Sequence, residues 1–387
     1  MSAPFRIGVD ARTFHSPAGG MRRYVWELYG RLPHLESGVE VIAIGASPDQ
    51  ALPPGLQRRQ ATAFPTNLGW TALSLPLAIR GAGLDIFHAP AYTAPLWGVH
   101  PQVVTIHDVS YERVPEWNAY KNDPARRWFY RRSALAADHV ITDSAFSKHE
   151  IAAAYGIAPG HISVVPLAAA ETFTPGPFNP AEVPRGVRQP YVLHVGDLQI
   201  RRNLATALAA ILRLRTEGPR TDGPGTPGPG TPGPGTDRPV LVLAGVDRGI
   251  GASLVEQAHA AGDPDALVIT GPISEALLLN LYRGAAVLAY PSRYEGFGLP
   301  ILEAMRCGVP VVAANSSSLP ELVGQAGSLL DPLDEAAWAA AIGAILAAPD
   351  VASRREASLA QAARFSWDRT ARETLAVLRA CARGGRP

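Results

Sequence analysis

Residues 287–315 read VLAYPSRYEGFGLPILEAMRCGVPVVAAN. The run Val287–Tyr290 predicts a strand, Pro291–Gly298 a loop, a helix is expected from about Leu299, and Val309–Asn315 reads as the next strand. Both strands are apolar almost throughout. That pattern belongs to a parallel sheet covered by helices on both faces, whereas a half-exposed strand would alternate.

The same alternation extends in both directions. RIGVDA, VEVIAIG, DIFHAP, QVVTIHD and DHVITDS read as strands in the first half, and YVLHVGD, PVLVLAG, ALVITG, AAVLAYPS and VPVVAAN in the second. RRYVWELYGRL, RRWFYRRSALAA and EALLLNLYRGA carry helical spacing between them. The fold class is therefore α/β, with two Rossmann-like, doubly wound parallel-sheet domains. The first is expected over residues 1–185, because 172–190 holds five prolines and no periodicity. The second is expected over 186–365. An amphipathic helix and tail, 366–387, would return to the first, with Ser366 as its cap. Residues 217–239 contain a Gly/Pro/Thr repeat with no apolar content, which reads as a flexible insertion.

The loop and helix of 291–315 also carry chemistry. Gly296 and Gly298 leave backbone amides bare near a helix N-terminus, where an anion is favoured. Glu303 follows Glu295 by eight positions, about two turns into the helix, and its carboxylate could accept both hydroxyls of a ribose. Phosphate on amides and a diol on a carboxylate is how doubly wound folds hold nucleotides.

This string, with seven residues between Glu295 and Glu303, resembles the signature of the retaining GT-B glycosyltransferases of family four. VGDLQIRRNL (195–204), containing Gly196, resembles that family's phosphate-binding segment, with Arg202 where lysine is usual. DARTFHSPAGGMRRY (10–24) is similar to its glycine-rich loop, VTIHDVS (104–110) to its His-Asp strand end, and LPELVGQAGSLLDP (319–332) to the segment after the signature. Among subgroups the chain most resembles bacterial mannosyltransferase-like enzymes of polysaccharide assembly. The resemblance implies two domains facing a central cleft and a nucleotide-diphosphate sugar donor, with GDP-mannose favoured. It implies a glycan or lipid-linked acceptor.

The roles it implies are specific. Arg202 would stabilise charge growing on the departing diphosphate. Arg201 would assist there, or be a solvated cation. Glu303 would hold the ribose, and Glu295 the donor sugar's hydroxyls. The amides of Gly296, Phe297, Gly298 and Leu299 would meet the sugar or distal phosphate. His107 would act near the sugar, and Asp108 would either join it or cap the next turn. Gly19 and Gly20 would bring a bare turn to phosphate or acceptor. The alternatives are a nucleotide-sugar 2-epimerase of the same fold and a transferase using UDP-glucose or a similar UDP-sugar.

Composition bounds the rest. Thirty-five basic residues face 34 acidic ones, a net charge of +1, which argues against nucleic-acid binding by bulk charge. Two cysteines build neither a disulfide framework nor a thiolate metal site. No Asp-x-Asp stands at a strand end, since DPD (263–265) falls in a polar loop, so no metal or cofactor is expected. The longest apolar run, Ala336–Ala348, is too short to span a bilayer, which takes about 20 residues. With no signal-peptide pattern at the N-terminus, a cytoplasmic location is expected. Arg126, Arg127, Arg131 and Arg132 surround Trp128, Phe129 and Tyr130. They form either a solvated basic helix face over an aromatic core face, or an interfacial helix touching anionic lipid.

Overall fold

The computed structural model describes residues 3–16, 19–62, 64, 66–114, 117, 123–217, 238–347 and 351–384. The Gly/Pro/Thr repeat lies outside them. The chain divides into two units, residues 1–168 with 365–387, and residues 169–364.

The first unit holds a parallel sheet of β1 (Phe5–Asp10), β2 (Val39–Ile44), β3 (Gln57–Arg59), β4 (Ile86–Ala89), β5 (Gln102–Thr105), β6 (His139–Thr142) and β7 (Ile162–Val164), ordered 3-2-1-4-5-6-7. The second holds β8 (Tyr191–Val195), β9 (Val240–Ala244), β10 (Leu267–Gly271), β11 (Val287–Tyr290), β12 (Val311–Ala314) and β13 (Ser328–Leu330), ordered 10-9-8-11-12-13 and also parallel. Each sheet reverses its winding beside its first strand, β1 or β8. In open α/β sheets ligands bind at such a switch point, outside the carboxyl ends of the strands. Every strand read from the sequence is present. The central ones are buried on both faces, as their unbroken apolar runs require.

The unit boundary falls at 168/169 and not at 185/186. The proline-rich segment packs on the second sheet's helices. Phe173 sets its ring edge-on to Tyr282 at 5.6 Å, the Asn179 amide donates to Asn280 Oδ1 at 2.9 Å, and Arg283 Nε donates to the Thr174 carbonyl at 3.0 Å. The helix Trp367–Ala382 belongs to the first unit. Ser366 Oγ caps it by accepting from the Arg369 amide at 3.2 Å, and Thr370 Oγ1 donates to the Pro166 carbonyl at 2.6 Å. Its Trp367 is buried beside Tyr24 of the helix Gly19–Leu35. Burying a large apolar side chain contributes about 1.5–3 kcal/mol.

Each sheet buries one histidine completely. His88 lies between Tyr29 Oη (2.9 Å from Nδ1) and Thr105 Oγ1 (2.8 Å from Nε2). His194 contacts the Ala289 carbonyl at 3.1 Å and stacks on Tyr290 at 5.2 Å. Burial pushes both imidazoles down to about 3, helped by His107 in the first case and Arg202 in the second. The unfolded chain therefore takes up protons below about 6.5 that the folded chain refuses until about 3. Stability must fall with pH across that window. At pH 5 each histidine costs about 2 kcal/mol relative to pH 7.5. Urea unfolding at both values is expected to show the loss, and His88→Gln to flatten the pH slope while lowering stability at pH 7.5. An unchanged slope would show that His88 is not held neutral.

Candidate functional site

In the second unit the chain leaves β8 at Gly196, whose φ of +133° favours glycine. A Cβ there would sit 3.3 Å from the Arg202 guanidinium. The 3-10 turn Ile200–Arg202 follows, closed by Asn203 in the left-handed conformation. Asn203 Nδ2 donates to the Pro332 carbonyl at 2.6 Å and so ties the turn down.

This turn presses both arginines inward. Arg201 Nη1 donates to Glu295 Oε2 at 3.2 Å and to the Tyr294 carbonyl at 2.8 Å. Arg202 Nη1 donates to Glu295 Oε1 and Tyr290 Oη. All three charged side chains are buried, so the cluster carries net +1 inside the protein. Arg201 is thus no solvated cation. A buried pair is secured only by such multiple hydrogen bonds, because desolvating each ion costs several kcal/mol.

The loop bearing Glu295 is held by three consecutive serines that the sequence reading passed over. Ser316 Oγ donates to the Ser292 carbonyl at 2.8 Å, Ser317 Oγ accepts from the Glu295 amide at 3.0 Å, and Ser318 Oγ donates to the carbonyls of Glu295 (3.0 Å) and Phe297 (2.7 Å). Their signal was three hydroxyls directly after an apolar strand. Gly296, Phe297 and Gly298 are buried, and Gly298 (φ +115°) is the N-cap of the helix Leu299–Arg306. It offers no side-chain cap, Pro300 carries no N–H and the Ile301 amide donates to the Gly298 carbonyl at 3.0 Å, so Leu299 is the first-turn position whose amide is open to an acceptor or anion. Glu303 is the fifth residue of that helix, one turn in and not two. It is buried and accepts from Tyr282 Oη at 2.8 Å. Burial, reinforced by the carboxylate, pushes the Tyr282 phenol up, so Tyr282 stays a donor.

In the first unit His107 and Asp143 stand just past β5 and β6, with Nδ1 2.7 Å from Asp143 Oδ2. Asp143 is buried. Desolvation raises its carboxyl while His107 opposes that. Tyr24 sets its ring edge-on to His107 at 4.9 Å. Sequence reading missed Asp143, though it ends a strand as His107 does. Asp108 takes the capping role: its Oδ1 accepts from the Ser110 amide (3.0 Å) and hydroxyl (2.7 Å). Gly19 and Gly20 form no turn. They are exposed first residues of the helix Gly19–Leu35, with open space where a Cβ would stand.

Among the described residues no three His, Cys, Asp or Glu side chains gather as a metal would require. Asp263 of the DPD sequence instead holds Arg215 through two bonds of 2.7 Å, which lowers its carboxyl. No single described helix is long and apolar enough to cross a membrane.

An Anabaena protein, HepE, solved with UDP and glucose, superposes with a TM-score of 0.68 over 97% of this chain and 100% of its own, at 18% identity. Two doubly wound domains of this kind define the GT-B architecture. The model for glycosyl transferases group 1 matches residues 177–364, and that for glycosyltransferase family 4 matches 18–170. O-antigen chain mannosyltransferase B of Escherichia coli is 32% identical over 313 residues, 77% of this chain and 75% of its own. A D-inositol 3-phosphate glycosyltransferase of Acidothermus cellulolyticus is 30% identical over 401 residues, 94% and 86% of the two chains. The chain belongs to the group 1, family-four glycosyltransferases.

Proposed function

We propose that this glycosyltransferase moves a sugar from a nucleotide-diphosphate donor to a hydroxyl of a glycan or lipid-linked acceptor, with retention of anomeric configuration, and that the donor is GDP-mannose. The observation that carries this reading is the buried Arg201–Glu295–Arg202 cluster. Its net positive charge suits one diphosphate, and the loop that bears Glu295 runs on to the N-terminus of the helix Leu299–Arg306. The mannosyl donor is supported by the E. coli relative's name. A UDP-sugar is the second reading, favoured by the Anabaena protein's complex with UDP and glucose.

Arg202 and Arg201 would hold the diphosphate, passing it beside Gly196. Glu303 would accept the ribose diol, and Glu295 would orient both arginines as well as meet the donor sugar. His107, steadied by Asp143, would donate toward the sugar or its phosphate. Gly19 and Gly20 would supply first-turn helix amides to a phosphate or acceptor. No protein nucleophile takes part. The leaving phosphate accepts the acceptor's proton on the face where the oxocarbenium forms, and protein groups act by positioning and charge stabilisation. No metal is included, since the arginines and helix amides meet the phosphate charge.

Incubation with GDP-mannose or UDP-glucose and a membrane lipid extract tests this. The expected result is acceptor-dependent release of nucleotide diphosphate and an α-linked product. An epimerase would alter the nucleotide sugar with no acceptor present. Glu303→Ala is expected to weaken GDP or UDP binding, since each bond to a charged group contributes roughly 1.5–3 kcal/mol. Equal affinity by calorimetry would remove Glu303 from the ribose.

A further inference from the structure

Residues 67–79 form a helix that none of these roles uses. It comprises Asn67–Gly69, a π turn Trp70–Ser74, and Leu75–Ile79. Only Asn67, Thr71 and Ser74 in it are polar. Trp70 and Leu75 enter the first sheet's core. Leu68, Leu73 and Leu77 do not: they are 57%, 49% and 57% exposed.

The π turn explains how three leucines come to share the outer face. In a regular α-helix, at about 100° per residue, Leu68 and Leu73 would lie about 140° apart. A π turn takes up one extra residue and closes most of that gap. Arg80 follows Leu77 by three positions, exposed, with its guanidinium 5.4 Å from the Trp97 ring. Trp97 Nε1 donates to the Ala72 carbonyl at 2.7 Å, so the indole is fixed beside the leucines. Leu96 lines a small cleft of about 100 Å³ with Arg132, Leu135 and Ala136. That cleft joins the leucine face to the helix Pro124–Ala136, where Trp128 and Leu135 are exposed with Arg126, Arg131 and Arg132.

Charge selects the occupant. Segments 64–80, 90–102 and 124–137 hold five arginines and no aspartate or glutamate, in a chain of net +1. Arg127 is paired with Glu112, and Asp138, which follows the basic helix's segment, is paired with His100, so Arg80, Arg126, Arg131 and Arg132 against Asp123 leave the face cationic. A twofold contact with a second copy would set this cationic face against itself. Leucines, indoles and arginines together suit the headgroup boundary of a negatively charged bilayer. We propose that this face docks on an anionic phospholipid bilayer, the leucines and Trp97 entering the boundary and the arginines meeting lipid phosphates. The arginine half rests on the reading of 124–136 as an interfacial helix. The leucine half stands on the π turn alone, and neither half depends on the donor assignment.

Co-sedimentation of the full chain with phosphatidylcholine vesicles, with and without phosphatidylglycerol, tests the proposal. Binding is expected only with phosphatidylglycerol and should weaken with salt, as the Debye length shrinks from about 10 Å at 0.1 M to about 3 Å at 1 M. Leu73→Ser with Leu77→Ser should lower partitioning by on the order of tenfold with an unchanged melting temperature. Arg131→Glu with Arg132→Glu should lower it as well. Absence of binding by the parent at low salt overturns the proposal. Full binding by the leucine variant overturns the leucine face and leaves only the basic helix. A concentration-dependent dimer in ultracentrifugation that the leucine substitutions abolish would assign the face to a second copy and also overturn it.

Discussion

Arg202→Ala is expected to lower turnover by on the order of 10²–10³, the loss typical of one preorganised charge-stabilising donor. The same change should barely alter the melting temperature. Arg202 is one of two cations on a single carboxylate, and removing it leaves the neutral pair Arg201–Glu295. Arg202→Lys should recover much of the rate, because an ammonium can replace the point charge although not the fork. Turnover is read as nucleotide diphosphate released from GDP-mannose or UDP-glucose in the presence of acceptor. A rate for Arg202→Ala within a few-fold of the parent would remove Arg202 from the reacting charge.

Glu295→Ala should behave in the opposite way on stability. It leaves two buried guanidinium groups uncompensated, which costs about 3–5 kcal/mol. For a unit of this size the melting temperature should drop by on the order of 10 °C. Turnover should fall as well. Affinity for GDP or UDP should not, because the ligand's phosphates then supply the missing negative charge. The rise in melting temperature on adding nucleotide should therefore exceed the parent's. A variant that melts with the parent yet binds the nucleotide tenfold more weakly would contradict the arrangement, and would make Glu295 a direct nucleotide contact.

The sequence made the sheets legible because a strand buried on both faces has to be apolar along its length. β3, β7 and β13 escaped it. All three are sheet edges of three residues, each paired on one side only, and Gln57-Arg58-Arg59 carries no apolar residue at all. The helix at 67–79 escaped for the opposite reason. It is apolar on both faces, and its π turn breaks the 3.6-residue period.

In the candidate site, Glu295 and Glu303 stood out by their spacing and Arg202 by resemblance to a phosphate-binding segment, but the partners that the structure gives these side chains did not. That Arg201 turns inward depends on the left-handed backbone of Asn203 and its bond to Pro332, 129 residues away. Tyr282, from the helix Glu275–Gly284, and Asp143, from the end of β6, reach Glu303 and His107 across their own units, 21 and 36 residues distant. Gly19 and Gly20 suggested a turn because paired glycines usually make one, whereas here they open a helix.

Calorimetric titration of GDP and of UDP into the parent and into Arg202→Ala tests most directly whether the buried arginine cluster is the donor's diphosphate site. One of the two nucleotides is expected to bind the parent with one site per chain. Its affinity for Arg202→Ala should be weaker by about 1.5–3 kcal/mol, roughly ten- to a hundredfold. Binding of neither nucleotide to the parent, or equal affinity for the variant, would contradict the account.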